Sequence, residues 1–232
     1  MKLIICAGPP TCGKTTVLKQ VTNKLLAQGR RVAYLKEDVQ FAEEATMFSE
    51  EFGIPSRAAY SGEICPDHCH VLILKEAVEW AEKNQADIFI VETAGLCLRC
   101  APYVEGGLAI CVLEVTSGMN LPRKIGPMLT LADIAVVTKI DLVSQAEREV
   151  FRMNLTEVAP LPVIETDALH GINIDRIVRE VEKSPEIKQP MILRGNPPLA
   201  VCTICAGKKE IGWENHFGVV RTLESDPFYQ GE

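Results

Sequence analysis

Apolar positions along this chain follow two alternating rhythms. Six short unbroken runs read as buried strands: KLIICA (2–7), RVAYLK (31–36), DIFIVE (87–92), LAICVLEV (108–115), DIAVVT (133–138) and LPVIET (161–166). Between them, KTTVLKQVTNKLLAQ (14–28), HVLILKEAVEWAEKNQ (70–85), SQAEREVFRMNLTEV (144–158) and NIDRIVREVEK (173–183) repeat their apolar positions at helical spacing. Gly29 closes the first of these helices. Strands that are apolar throughout must be covered on both faces. The pattern therefore predicts an α/β domain, a mostly parallel sheet with helices on both sides. The alternation stops after Ser184, where SPEIKQPMILRGNPP carries four prolines. This predicts a domain over 1–184 and a small C-terminal extension over 185–232.

The 232 residues are 47% hydrophobic, enough for one domain with a sizeable core. A formal charge of −7 argues against non-specific nucleic-acid binding, which depends on phosphate neutralisation by Lys and Arg. No apolar stretch reaches the roughly 20 residues of a membrane helix. The first apolar run is too short for a signal peptide. A soluble cytoplasmic protein is expected. In a reducing compartment the nine cysteines should not form a disulfide framework. Six fall in close pairs, Cys65 with Cys69, Cys97 with Cys100 and Cys202 with Cys205, a spacing that points to metal or redox chemistry.

The first strand and first helix are joined by GPPTCGKTT. Gly8-x-x-x-x-Gly13-Lys14-Thr15 is a full phosphate-loop pattern in the strand-to-helix context it requires, so the fold is expected to be that of a P-loop NTPase. Gly8 and Gly13 permit the turn that aims backbone N–H groups at phosphate oxygens, and the helix N-terminus adds favourable partial charge. Pro9, Pro10, Thr11, Cys12 and Thr16 complete the loop. Lys14 is expected on the terminal phosphates and the Thr15 hydroxyl on Mg²⁺. Glu92, ending an apolar strand, and Asp38, after the second strand, are candidate Mg²⁺ or water-positioning acids. Gly95 can present its N–H to the γ-phosphate. Lys139 and Asp141, in VVTKID, follow another apolar strand. A carboxylate there can accept from guanine N1–H and its exocyclic amine; adenine lacks both donors, so GTP is expected.

Together, GPPTCGKTT, VETAG, EVTSGMNLPRKIGPMLTLADIAVVTKIDLV and PVIETDALHGINID resemble the nickel-insertion GTPases that mature urease and hydrogenase, within the SIMIBI class of P-loop GTPases. The likeness covers most of residues 1–183, and LPRKIGPMLTLADIAVVTKIDL most resembles the urease accessory GTPase. It implies a GTPase that dimerises around nucleotide and delivers metal to a client metalloenzyme. The family's base-recognition motif has Asn where Thr138 stands here.

In that family the region of EICPDHCH carries a Cys-Pro-His or Cys-His metal motif. Two registers fit, drawing on Cys65, His68, Cys69 and His70. Cys97 and Cys100, in GLCLRCAP, follow Gly95 in a segment that moves on hydrolysis in such GTPases. Four thiolates favour Zn²⁺, Cu(I) or an iron–sulfur cluster, and imidazole suits Zn²⁺ or Ni²⁺. Cys202 and Cys205 make only half of a tetrahedral site. Two other readings stay open: an ATP-driven iron–sulfur reductase holding a cluster between two chains, and a nucleotide-gated metal store with negligible turnover.

Overall fold

In the computed structural model, residues 1–62, 64–95, 100–195, 208–215, 219–220, 223 and 228–229 are described. In chain order the elements are β1 (Lys2–Ala7), α1 (Lys14–Ala27), β2 (Val32–Asp38), α2 (Glu44–Phe52), β3 (Ser56–Tyr60), α3 (Pro66–Lys83), β4 (Ile88–Glu92) and β5 (Leu108–Glu114). Then follow α4 (Leu121–Ile125), α5 (Pro127–Thr130), β6 (Ile134–Thr138), α6 (Gln145–Val158), β7 (Val163–Glu165) and α7 (Ile174–Lys183). Val219–Val220 and Phe228–Tyr229 form a separate short antiparallel pair.

The main sheet has seven strands in the order β3-β2-β4-β1-β5-β6-β7, and every pairing is parallel. This is the P-loop NTPase arrangement expected from the sequence. Period-two alternation sends successive strand residues to opposite faces. Leu3, Ile5, Leu35, Phe89, Val91 and Leu113 join one core with Leu72, Ala77, Phe151 and Leu155, from α3 and α6. Ile4, Cys6, Tyr34, Ile90, Val112 and Val136 join the other with Val17, Leu18, Phe48 and Ile177, from α1, α2 and α7. Fully burying one such Leu or Ile is worth roughly 1.5–3 kcal/mol. The two cores clamp β1 in the middle and fix where its carboxyl end points.

After β1 the chain builds outward on one side through β2 and β3, returns to β4 beside β1, then crosses to β5 and the other side. Open α/β sheets bind ligands in the crevice outside the carboxyl strand ends at such a reversal. Beyond α7, Met191, Leu193, Ile211 and Leu223 add to the core that holds α3 and α6. The Arg194 guanidinium donates to both oxygens of Asp133 at 2.7 and 2.8 Å.

Several elements were not expected. α2 and edge strand β3 occupy a stretch with no clear rhythm: α2 buries Ala45 and Phe48, and β3 buries only Ala59. α4 and α5 are kept short by Gly126 and Pro127. α3 begins at Pro66 rather than at residue 70, because proline at the first helical position is pre-set for a helix and loses no needed donor. His68 and Cys69 are therefore helical as well.

Candidate functional site

The loop from β1 to α1 is shaped by backbone that few residues tolerate. Gly13 has φ of 90°, and a side chain on Gly8 would place Cβ 2.2 Å from the Val112 carbonyl oxygen. Gly95 has φ of 72°, and its Cβ would fall 1.8 Å from the Gly8 carbonyl oxygen and 3.2 Å from Lys14 Nζ. The turn after β4 thus lies directly on the phosphate loop. Lys14 is buried and donates to the carbonyls of Gly8 at 3.0 Å and Pro9 at 3.1 Å. Thr138 Oγ1, also buried, donates to the Cys12 carbonyl at 2.6 Å, so the residue that replaces asparagine ties β6 to the loop. Burial pushes the Cys12 thiol above its ordinary pKa, which fits a small filler beneath the loop. α1 has no acidic residue in its first turn and no side-chain cap, leaving its N-terminal donors for an anion.

Pro10, Thr11, Thr15, Thr16, Asp38 and Glu92 line a 430 Å³ cavity above this loop. Glu92 is 1% exposed. Its Oε1 accepts from Thr15 Oγ1 at 2.8 Å and from Lys36 Nζ at 2.9 Å, and its Oε2 accepts from the Tyr34 hydroxyl at 2.8 Å. The parallel register sets Lys36 directly beside Glu92. Lys36 Nζ also lies 3.6 Å from Asp38 Oδ2 and from Glu44 Oε1. Burial pulls the Lys36 ammonium down, but Glu92, Glu44 and Asp38 more than offset it and hold its pKa above the ordinary lysine value. Burial, then the Glu92 charge, pushes the Tyr34 phenol well up. A hydroxyl and a carboxylate in contact beside the phosphate loop are hard oxygen donors, and they fit Mg²⁺. Lys36, Tyr34 and Glu44 were not singled out from the sequence; the one signal was a lysine inside the apolar run RVAYLK.

At the far end of the crevice, Lys139 has φ of 59° and pairs with Glu114. Burial raises the Glu114 carboxyl, yet Lys139 and Ser117 hold it below its usual range. Asp141 is exposed in the turn Ile140–Leu142. It acts electrostatically on His170, whose Nδ1 lies 2.5 Å from Asp167 Oδ2; Asp167 is the larger cause of the raised His170 pKa. Residues 139–142 and 167–172 therefore flank the same end of the cleft.

The thiol-bearing segments divide into two groups. Cys65 is the exposed N-cap of α3, Cys100 is half-buried, and His68 is buried. All three line one 390 Å³ cavity with Asp67, beside Pro102 and Leu193. Cys69 turns into the core instead. His70 is 0% exposed: Nδ1 lies 2.9 Å from both Glu37 carboxylate oxygens, and Nε2 lies 2.8 Å from the Pro102 carbonyl oxygen. With the Glu37 carboxylate and the Pro102 carbonyl as acceptors, both ring nitrogens are placed to donate. Cys97, Cys202 and Cys205 lie outside the described residues. Among the described residues, no three His, Cys, Asp or Glu side chains are grouped as a metal-ligand set.

Residues 2–164 match the family described as CobW/HypB/UreG, nucleotide-binding domain. An uncharacterized protein of Methanocaldococcus jannaschii is 41% identical over 235 residues, covering 100% of both chains. The urease accessory protein UreG of Natronomonas pharaonis is 29% identical over 191 residues, 76% of this chain and 92% of that one. Among solved structures, HypB from Helicobacter pylori in complex with nickel superposes with a TM-score of 0.65 at 18% identity, covering 82% of this chain and 91% of that one.

Proposed function

The chain belongs to the CobW/HypB/UreG nucleotide-binding family, and from that premise we propose that it is a GTP-hydrolysing maturation factor. In this reading it holds a transition-metal ion or an iron–sulfur cluster on cysteines and passes it to a client metalloenzyme. One observation carries the proposal. Cys65 and Cys100 line a single cavity, and Cys100 lies five residues beyond Gly95, whose backbone rests on Gly8 and Lys14. The turn that would meet the γ-phosphate is therefore followed, five residues on in the sequence, by a thiol of that cavity.

The residues would divide the work as follows. Backbone N–H groups from Gly8 to Thr16, the two prolines excepted, bind the phosphates, and Lys14 leaves the Gly8 and Pro9 carbonyls to stabilise charge on the transferring phosphoryl group. Thr15 would hold Mg²⁺ directly, with Glu92 and Asp38 in its surroundings; the ion, when bound, neutralises charge on the β- and γ-phosphates. Gly95 donates its N–H to the γ-phosphate, and Asp141 accepts from guanine. Hydrolysis to GDP and phosphate releases Gly95, and the segment bearing Cys97 and Cys100 relaxes. Cys65, Cys97 and Cys100, with His68, are the proposed cargo ligands. Cys69 and His70 serve the core and its buried ion pair. Thiolate-rich donors support a soft cargo, and the nickel of the Helicobacter pylori structure supports a late first-row ion. The resemblance to dimerising GTPases supports a homodimer.

The test is anaerobic purification and metal analysis of the wild-type chain and of Cys65→Ser with Cys100→Ser. The proposal expects loss of bound metal or cluster with GTP affinity unchanged. Full metal content in the double variant would refute the thiol site.

A further inference from the structure

The corner of the nucleotide cavity around Glu92 is already filled by a positive charge. Three carboxylates from three elements, Asp38 of β2, Glu44 of α2 and Glu92 of β4, converge on the Lys36 ammonium. The lysine side chain is 5% exposed, and the sheet register holds its backbone beside Glu92. Glu92 Oε1 is shared between Lys36 and the Thr15 hydroxyl, and Oε2 is taken by Tyr34. Tyr34 is fixed in turn by stacking on Phe48, with ring centroids 3.8 Å apart and planes 2° from parallel. Around the ammonium stand three carboxylates and a hydroxyl, oxygen donors of the hard kind that Mg²⁺ and Mn²⁺ prefer.

We propose that Lys36 determines when a divalent cation can enter this site. Its ammonium occupies the carboxylate cluster and repels a second cation. The phosphates of an arriving nucleotide supply the negative charge that lets lysine and divalent ion coexist. The ion thus enters with the nucleotide and not before it. For a protein that carries a transition metal, as proposed above, the same lysine keeps cargo from lodging at the nucleotide site. That consequence rests on the proposed function; the gate itself does not.

The probe is Mn²⁺ alone, titrated into nucleotide-free full-length protein and followed by the electron paramagnetic resonance signal of the unbound ion. A unit charge within ~4–6 Å changes a neighbouring ionisation equilibrium by roughly 10- to 1000-fold. Lys36→Gln should therefore bind Mn²⁺ at least ~10-fold more tightly than wild type. Lys36→Arg, which keeps the charge, should behave as wild type. Adding Glu92→Gln to Lys36→Gln should abolish the gain and so locate it. Equal Mn²⁺ affinity in wild type and Lys36→Gln would overturn the proposal. Should Lys36→Gln fail to fold, Lys36→Met takes its place as the charge-removing variant, and Mn²⁺ affinity equal to wild type overturns the proposal. Neither GTP hydrolysis nor the thiol cavity enters the readout, so failure of the maturation-factor reading would leave this result standing.

Discussion

Glu92 has no idle oxygen: Thr15, Lys36 and Tyr34 all donate to it. Such a carboxylate serves better to hold the cavity's geometry than to take a proton from water, and Lys14 should carry the chemistry. Lys14→Ala is expected to lower GTP hydrolysis by on the order of 10²–10³-fold or more, measured as phosphate release; unchanged turnover would remove the phosphate-loop assignment. Asp141 should read the base through two charge-assisted hydrogen bonds. Asp141→Ala should cut the preference for GTP over ATP by ~10²-fold or more in competition binding. A wild-type protein that takes both nucleotides equally would show that Asp141 reads nothing. Gly95 is the third residue with a defined task. A methyl group there would collide with the Gly8 carbonyl at 1.8 Å. Gly95→Ala should slow hydrolysis by ~10²-fold, because small misplacements at the reacting group are costly.

At the scale of elements, one buried ion pair joins three parts of the chain. His70 on α3 bonds to Glu37 at the end of β2 and to the carbonyl of Pro102, two residues past Cys100. Burial alone would lower the His70 pKa; Glu37 more than offsets it, so the folded value lies above the ordinary one. The sign follows from linkage. A raised folded pKa contributes stability that is complete below the unfolded value of about 6.5 and fades as pH rises through the folded value. Wild-type stability should therefore fall as pH rises above about 6.5 by more than that of His70→Asn, compared by urea unfolding at several pH values. His70→Ala should cost ~3–5 kcal/mol, because it strands the buried Glu37 charge. The sequence announced the strands and longer helices because their apolar residues recur at periods set by backbone geometry. It was silent on α2 and β3, an edge pair that buries few side chains. The phosphate loop stood out because local spacing defines it, and strand ends drew attention to Asp38 and Glu92, which line the cavity above it. Lys36 did not stand out, since its role arises from a cross-strand neighbour 56 residues away. Nor could spacing tell that Cys65 faces a cavity while Cys69 faces the core. That division depends on where Pro66 starts the helix.

For the whole molecule, nucleotide cavity and thiol cavity are joined from Asp38 through its neighbour Glu37 to His70 and Pro102. In the sequence, Cys100 also follows Gly95 by five residues. A ligand shifts a conformational equilibrium only by its differential affinity for the two states, so a γ-phosphate that orders these segments must change metal affinity. The most direct test is metal affinity of the full chain titrated under anaerobic conditions, once with a non-hydrolysable GTP analogue and once with GDP. Coupling of ~1–3 kcal/mol is typical, and the account predicts dissociation constants that differ by roughly 5–150-fold between the two nucleotide states. Equal metal affinity in both would contradict it.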